Sequence, residues 1–525
     1  MTFARSAALD RLASEQFDVL VIGGGITGAG VALDAASRGL RTALVERDDF
    51  GSGTSSRSSK LVHGGLRYLS QGDYRLVAQA LAERQRLLTN ASHLVRPLPF
   101  LVPSYGSRAA VRAISSALWM YDVAGGFRIG HLHRRLSPTD ALAHAPSLRP
   151  DGLAGAHLYY DAQTDDARLT LAVARTAVLD HGAVVANHVR VTRIDPGGAE
   201  IEADGRRLEV DASIVVSATG VWADEVCGGT GPPSIRPAKG VHITLPSELV
   251  RTDMALVLRV PADGRSVFVV PWPGTGRVYV GTTDTDYDGP LDTPACTAAD
   301  VDYLLDSVNA GLTTDLGPAD VVGSWAGLRP LVAGGPAGKR SADLSRRHRV
   351  SRSPEGLVTI SGGKLTTYRA MAEDTVDEVQ AALGRRRSKA LTASLPLRGS
   401  GRAPAPPGVD EPVAAHLVGR YGSEARVVAA MVTTDPDLGE PLVPTLPYLR
   451  AEAVYAVRYE MARDLDDVLA RRARCVVLAR DASAAAAPAV ARLLAPELGW
   501  SEAETVAQVE RFLAGVDAER LAAGR

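Results

Sequence analysis

The sequence has few cysteines and no excess of either charge. Its three cysteines, Cys227, Cys296 and Cys475, form no C-x-x-C pair and have no histidine at metal-ligand spacing. This pattern argues against a disulfide framework, a zinc site or an iron–sulfur cluster, and suits a reducing compartment. The net charge of -2 gives no general attraction to nucleic acid or acidic lipid. We therefore expect no metal and no nucleic-acid partner, and any anion site must be local.

Long apolar runs are also missing. No stretch approaches the ~18 consecutive apolar residues that a spanning helix needs. The N-terminus carries Arg5 and Arg11 and lacks an apolar core of signal-peptide length. We expect a cytoplasmic protein whose membrane contact is peripheral, at the inner face of the cell membrane. A chain of 525 residues, 46% of them hydrophobic, is too long for one core and predicts two or three globular domains.

Residues 17–46 carry the pattern of a dinucleotide-binding unit. The apolar run 17–22 predicts a buried parallel strand, and a glycine turn and a helix follow it. Gly23 permits the tight turn, Gly25 lets the backbone approach a pyrophosphate, and Gly28 allows the helix to pack closely on the strand. The helix N-terminus then faces the phosphates.

Glu46 stands at the end of the second predicted strand, 42–45, where a carboxylate binds the ribose hydroxyls of an adenosine. An acidic residue here disfavours a 2'-phosphate, and therefore NADP. Strand, turn, helix, strand and acid together predict a dinucleotide site rather than a purely structural βαβ unit.

The segment after Glu46 departs from the pattern of an NAD dehydrogenase. Residues 51–60 are rich in glycine and serine, and their hydroxyls and amides predict a second anion-lined groove rather than a solvated loop. Residues 63–68 then bring together a histidine, two glycines, an arginine and a tyrosine. We interpret this run as the place where a substrate meets the reactive ring of the nucleotide.

Two later glycine turns follow predicted strands. Small residues at 217–222, after the buried run 214–216, let the backbone lie close to a nucleotide. At 361–369 a double glycine, a lysine and a helix direct a helix N-terminus towards an anion, and Lys364 lacks the upstream glycine of a P-loop. Between these turns, the alternating apolar and polar residues of 236–290 predict an antiparallel sheet.

The remaining segments predict supporting structure. Residues 1–15 are interpreted as a loose N-terminal arm, and 384–408 as a linker rich in Arg, Ser, Gly and Pro. Beyond the linker, 448–474 and 501–521 are predicted helices. The arginines at 471–474 predict a solvated basic face.

Two further predicted helices carry distinctive side chains. The stretch 107–130 bears Trp119 and Tyr121 between flanking arginines, so it either lies in a membrane interface or packs against its own domain. Asp165 and Asp166 open another helix, where acidic residues suit the helix dipole.

These motifs resemble the FAD-dependent glycerol-3-phosphate dehydrogenases of the aerobic, respiratory type. The resemblance spans roughly residues 17–380, and more weakly the helical C-terminus. It implies an α/β fold: a Rossmann-like FAD-binding domain of the glutathione-reductase type, an antiparallel-sheet substrate domain and a helical C-terminal cap. The motifs that carry it are 23–28, 58–68, 281–284, 327–330 and 362–369.

The resemblance also implies an order of domains along the chain. The predicted segments are 16–105, 150–235 and 325–383 for the FAD-binding domain, 106–149 and 236–324 for the substrate domain, 384–408 for the linker, and 409–525 for the helical domain.

The activity that the resemblance implies is oxidation of sn-glycerol 3-phosphate to dihydroxyacetone phosphate, by hydride transfer to flavin N5, with electrons passed to membrane quinone. One alternative is an oxidase that uses oxygen and releases hydrogen peroxide. Others are a related FAD-dependent amine or amino-acid oxidase, and a non-catalytic flavin-binding interaction protein. A homodimer is left open.

Arginine recognises a phosphomonoester bidentately and lysine acts as a point charge. By position, the resemblance implies a cluster of four cations with two polar neighbours. This predicted substrate site comprises Arg67, Tyr68, Thr282, Arg329, Arg346 and Lys364. His63 and His242 are candidate bases for the hydroxyl proton, and an arginine-polarised alkoxide is the alternative. We favour His63 and expect it to act with Arg329 and Lys364. The predicted FAD contacts are Gly23, Gly25, Ile26, Thr27, Gly28, Glu46, Thr54, Ser55, Ser59, Lys60, Leu61, His63, Val189, Ala218, Gly220, Trp222, Gly363, Lys364 and Leu365.

Overall fold

A computed structural model describes residues 2–66, 72–106, 108–126, 129–226, 228, 234–261, 263–333 and 347–524. Three predicted substrate-site residues, Arg67, Tyr68 and Arg346, lie outside the described residues. Two sheets, the helices that pack on them and a run of C-terminal helices confirm the predicted fold class.

Strands and helices alternate along much of the chain up to Leu179, runs of consecutive strands follow, and the described elements after Gly362 are helices. The described strands are β1 Phe17–Ile22, β2 Thr42–Val45, β3 Leu61–Val62, β4 Val95–Tyr105, β5 Arg134–Leu136, β6 Leu153–Thr164, β7 Val184–Ala186, β8 Arg190–Asp195, β9 Gly198–Ala203, β10 Arg206–Ser217, β11 Ile235–Pro246, β12 Ala255–Arg259, β13 Ser266–Trp272, β14 Arg277–Gly281, β15 Thr285–Asp286, β16 Gly323–Val332, β17 His348–Arg352 and β18 Val358–Gly362. The described helices are Arg5–Ser14, Ile26–Ser37, Tyr74–Asn90, Arg108–Ala124, Pro138–His144, Asp166–Leu179, Ala223–Val226, Ala298–Gly311, Tyr368–Ala382, Glu411–Tyr421, Ala425–Thr434, Arg450–Glu460, Cys475–Leu478, Arg480–Leu498 and Glu502–Ala522.

The first sheet has the strand order β17-β18-β10-β1-β2-β7, with β1 parallel to both β2 and β10. Every residue of β1 is buried, which confirms the predicted parallel strand and follows from helices covering both faces of such a sheet. The helix Ile26–Ser37 begins at the glycine turn after β1, as the fingerprint requires. The carboxyl ends of β1, β2, β10 and β18 therefore share one edge, where ligands bind in folds of this kind.

The second sheet joins strands from distant parts of the chain. Its order is β15-β11-β14-β13-β12-β4-β6-β3, with β16 on β11 and β5 on β6, and only the β12–β4 pairing is parallel. The predicted antiparallel sheet of residues 236–290 is thus confirmed. β4, β6 and β16 join the same sheet, although they come from segments predicted for the FAD-binding domain. The domain boundaries themselves stay a prediction.

The predicted loose arm at residues 1–15 is wrong, because a helix spans Arg5–Ser14. Leu12 of this helix is fully buried, and Arg5 donates to the backbone oxygens of Asn187 and His188. A polar, uncapped sequence gives little helical signal of its own, so these tertiary contacts decide the structure.

The helices from Glu411 to Ala522, here called the helical domain, also correct two predictions. The predicted helix 448–474 is interrupted, because Arg450–Glu460 ends at Met461, whose φ of 57° is left-handed. The predicted solvated basic face at 471–474 is wrong, since Arg472 and Arg474 are only 4% and 1% exposed. Spacing on a helical wheel does not reveal that acidic partners on another domain cover these arginines.

Substitution of Gly28 by alanine should destabilise the nucleotide-binding unit. A Cβ at Gly28 would lie 1.9 Å from the backbone oxygen of Gly23, so the helix must move off the strand. Overpacking of this kind costs about 1–3 kcal/mol. We expect a lower melting temperature of the FAD-free protein by differential scanning fluorimetry.

Gly515→Ala is the matched control, because a Cβ there meets no atom within 4 Å and alanine favours a helix interior over glycine. Equal melting temperatures for Gly28→Ala and Gly515→Ala would contradict the close packing at Gly28.

Candidate active site

A cavity of about 340 Å³ opens between the two sheets, within the range of cofactor sites. Its walls come from the turn after β1, the end of β2, the loop 52–59, the ends of β10 and β16, and the turn after β18. Most predicted FAD-binding residues line it. Those whose atoms form the wall are Gly23, Gly25, Ile26, Thr27, Glu46, Thr54, Ser55, Ser59, Leu61, His63, Val189, Ala218, Gly220, Trp222, Gly363, Lys364 and Leu365.

The first end of the cavity is a backbone cradle. Gly23 has a φ of 106°, and a Cβ there would lie 2.7 Å from the backbone oxygen of Ala218. Gly25 lies beside Ser55, whose Oγ accepts from the Ile26 N–H at 2.9 Å. This cradle, which side chains would fill, fits a dinucleotide pyrophosphate at a helix N-terminus.

Glu46 is positioned by the main chain at the same end. Its Oε2 accepts from Gly24 N–H at 2.6 Å and its Oε1 from Asp48 N–H at 2.9 Å. Burial raises the pKa of Glu46, and the two amide hydrogen bonds oppose that shift. The carboxylate is thereby held at the cavity wall, where it can accept from the ribose hydroxyls of an adenosine.

Gly28 and Lys60 are predicted FAD contacts that do not line the cavity. Gly28 supports the cradle from the helix below it. Lys60 is only 1% exposed, and its Nζ donates to Asp166 at 2.9 Å and to the Ser56 backbone oxygen at 3.0 Å. The ammonium of Lys60 therefore serves the structure of the loop.

The second end of the cavity carries a cation from β16. The Arg329 guanidinium donates to Asp284 Oδ1 at 3.2 Å, to Thr282 Oγ1 at 3.1 Å and to the Thr283 backbone oxygen at 3.0 Å. These acceptors fix the plane of the guanidinium at the cavity wall. Thr282, a predicted substrate neighbour, lies against Arg329.

His242 lies beside this cation on β11. Its ring stacks on Trp325 with centroids 4.7 Å apart, and its Nε2 is 2.8 Å from Ser59 Oγ. The Nδ1 atom has no hydrogen-bond partner among the residues described. Burial holds the pKa of His242 well below its usual range, so the ring is neutral at neutral pH.

Lys364 and His63 complete the same end. Lys364 follows Gly362 and Gly363, which adopt φ values of 76° and 83°, and it precedes the turn and helix predicted to face an anion. His63 donates its backbone N–H to Thr366 Oγ1 at 3.2 Å. Lys364, His63 and Arg329 therefore all line one cavity, although they are far apart in the sequence.

Sequence reasoning assigned no role to several residues of the wall, including Arg57, Gly240 and Arg47. Gly240 has no room for a side chain, since a Cβ would lie 2.4 Å from Arg329 Nη2. Arg57 stands within the loop already predicted to line a groove. The Arg47 guanidinium carbon lies 5.1 Å from the centroid of the Trp222 ring, and no local sequence pattern predicts this contact.

A largely parallel sheet, a backbone cradle, an acid at the end of the second strand and a second sheet that carries a cation together define a dinucleotide-dependent oxidoreductase. Residues 18–377 match the family of FAD dependent oxidoreductases, and 358–505 match the C-terminal domain of alpha-glycerophosphate oxidase. The chain belongs to the FAD-dependent oxidoreductases and, within them, to the glycerol-3-phosphate dehydrogenase family. It is therefore an FAD enzyme, as predicted.

Three relatives support this membership. Glycerol-3-phosphate dehydrogenase 2 of Mycobacterium tuberculosis is 42% identical, over 98% of this chain and 91% of its own. A probable mitochondrial glycerol-3-phosphate dehydrogenase of Caenorhabditis elegans is 41% identical, over 96% and 74%. The crystal structure of the Bacillus halodurans glycerol-3-phosphate dehydrogenase complexed with FAD is 30% identical, covers 99% of this chain and 97% of its own, and has a TM-score of 0.78.

Glu46→Gln should weaken FAD binding about tenfold. A carboxylate has two acceptor oxygens for the backbone N–H groups and the ribose hydroxyls, whereas an amide has only one. The dissociation constant is measured by quenching of FAD fluorescence on titration with FAD-free protein. Glu202→Gln, at an exposed position on β9, is the control. An unchanged dissociation constant for Glu46→Gln would remove Glu46 from the nucleotide site.

Proposed function

We propose that this protein oxidises sn-glycerol 3-phosphate to dihydroxyacetone phosphate and passes the electrons to membrane quinone. The observation that carries the proposal is that Arg329, Lys364 and His63 line the same cavity as the dinucleotide cradle. The relatives named glycerol-3-phosphate dehydrogenase support the same substrate.

Bound FAD supplies the hydride acceptor, flavin N5, for the hydrogen on C2 of the substrate. Arg329 is proposed to bind the substrate as an anchored cation, because its acceptors orient the guanidinium before substrate arrives. Lys364 is proposed to add a second positive charge, next to the N-terminus of the helix Tyr368–Ala382. Arg67, Tyr68 and Arg346 stay part of the proposed substrate site.

His63 is proposed as the base that takes the hydroxyl proton. Its backbone N–H donates to Thr366, and the residue lines the cavity. His242 is proposed as a neighbour that orients the site, because one nitrogen already contacts Ser59 and the ring is fixed on Trp325. His242 is the alternative base, since its neutral ring keeps an unpartnered Nδ1 among the described residues.

A second candidate function is oxidation with oxygen as acceptor and release of hydrogen peroxide. The observation in its favour is the match of residues 358–505 to the C-terminal domain of alpha-glycerophosphate oxidase. The substrate and the flavin chemistry are the same in both candidates. Only the fate of the electrons separates them.

The helix Arg108–Ala124 is proposed as the face that meets the membrane. Its outer side exposes Trp119, Met120 and Val123, at 53%, 46% and 61%. Its inner side buries Leu118 and Tyr121, and the Tyr121 hydroxyl accepts from the Gly64 N–H at 2.8 Å, next to His63. No helix among the described residues is long and apolar enough to cross a bilayer.

Anaerobic addition of sn-glycerol 3-phosphate should bleach the yellow flavin band at ~450 nm, as expected for reduction of the cofactor. In Arg329→Met the substrate concentration for half-maximal bleaching should rise at least about tenfold, because a positive charge at the cavity wall is lost, while FAD content stays the same. Stopped-flow absorbance measures both the substrate dependence of bleaching and the FAD content.

Arg193→Met, on the exposed hairpin strand β8, is the control for loss of an arginine. Unchanged substrate dependence in Arg329→Met would remove Arg329 from the substrate site. Bleaching by glycine or sarcosine but not by sn-glycerol 3-phosphate would favour the amine-oxidase alternative.

The electron acceptor is tested with quinone-containing vesicles of acidic lipid. Trp119→Ser combined with Val123→Ser should lower quinone reduction several-fold, because apolar contact with the bilayer is lost, while reduction of a soluble dye is unchanged. Leu521→Ser, at an apolar position 79% exposed on the helical domain, is the matched control. Peroxide release in air at the rate of substrate loss would instead support the oxidase.

A further inference from the structure

The helical domain is packed against the two loops that hold FAD. Its segment 461–474, here called the clamp, carries Arg472 and Arg474, which are 4% and 1% exposed. Both guanidinium groups point across the domain boundary to acceptors on the FAD-binding part of the chain.

Arg472 reaches the loop that follows Glu46. It donates to both oxygens of Asp49, at 2.6 and 2.9 Å, and Arg471 donates to Asp49 at 2.7 Å. Asp49 is fully buried and stands next to Asp48, whose N–H holds the Glu46 carboxylate. The position of the ribose-binding acid is thereby tied to the clamp.

Arg474 reaches the middle of the loop 51–60. Its Nη2 donates to the Ser56 backbone oxygen at 2.6 Å and to Asp166 Oδ1 at 3.3 Å. Lys60 binds the same two acceptors from within the loop. Because the acceptor at Ser56 is a backbone oxygen, the bond fixes the path of the chain itself.

The loop that Arg474 fixes spans the length of the cofactor site. Ser55 accepts from Ile26 at the pyrophosphate cradle, and Ser59 contacts His242 at the other end of the cavity. Ser56 lies between them. A shift at Ser56 therefore moves contacts at both ends together.

A metal-binding role for this region is disfavoured. Asp49, His188 and Asp467 bring three potential ligand atoms within 4.8 Å of one another. The two carboxylates are already occupied, however, since Asp49 accepts from Arg472 and Asp467 accepts from Arg471. Cationic donors at these oxygens neutralise the charge that would attract a metal ion.

We propose that Arg472 and Arg474 of the helical domain are positioning residues for FAD. Arg472 sets the adenosine end through Asp49, and Arg474 sets the loop 51–60 through Ser56. A buried ion pair adds little net stability compared with apolar packing. Its fixed geometry therefore supports a role in placing the loops.

The test measures FAD binding to the purified protein without substrate, so its outcome is independent of the proposed reaction. Arg474→Met should raise the FAD dissociation constant at least about tenfold, because the charged donor to Ser56 is lost. Arg474→Lys should recover part of the affinity, since one ammonium can still donate to that oxygen. Arg458→Met, which removes an exposed ion pair with Glu497 in the same domain, should not change affinity.

Hydrogen exchange of the FAD-free proteins separates positioning from general loss of folding. The proposal expects faster exchange in residues 51–60 for Arg474→Met and in residues 46–50 for Arg472→Met, with the helical domain protected as in the parent. Unchanged FAD affinity in both methionine variants would overturn it. Faster exchange throughout the helical domain, with affinity lost to the same degree in Arg474→Lys, would also overturn it.

Discussion

The buried carboxylate of Asp166 is the contact on which the active site depends. It accepts from the Ser58 N–H at 3.0 Å, from the Ser58 hydroxyl at 2.7 Å, from Lys60 Nζ at 2.9 Å and from Arg474 at 3.3 Å. With no exposure to solvent, such a charge is tolerated only when its hydrogen bonds are complete. Asp166 thus fixes the polar, glycine-rich loop 51–60, which would otherwise be solvated. Several residues of this loop line the cavity, so their positions also depend on Asp166.

The same loop also contacts the second sheet. The Trp325 indole N–H donates to the Ser58 backbone oxygen at 3.1 Å, and the Lys60 ammonium lies 4.7 Å from the centre of the Trp325 ring. Trp325 in turn supports His242 by stacking. Arg329 lies four residues further along β16, so the cation and the nucleotide loop are positioned by one connected set of contacts. Two sheets with separate cores can therefore form a single site.

The structural features that could be predicted from the sequence are those that short-range patterns determine. The glycine turn after β1 and the double glycine before Lys364 each join a strand to a helix, and Glu46 stands directly at the end of a strand, so the local geometry of all three could be predicted. Asp166 shows where this ends: it was predicted as an acidic residue suited to a helix dipole, whereas its partners Lys60 and Arg474 are remote in sequence. The arginines at 471–474 were misread for the same reason, because Asp49 and Asp166, which accept from Arg472 and Arg474, lie far away in the sequence. Which strands make up the second sheet also depends on pairing across more than 100 residues, which no local pattern encodes.

The nucleotide cradle and the Arg329–Lys364 end of the cavity are proposed to form one site for FAD and a phosphorylated alcohol. A crystal structure of the FAD-bound protein with dihydroxyacetone phosphate would show whether both groups occupy this cavity. We expect a flavin ring facing the Arg329–Lys364 end of the cavity, with the ligand's phosphate and carbonyl groups in contact with those two side chains. A ligand bound outside this cavity, or a flavin ring directed away from Arg329 and Lys364, would contradict it.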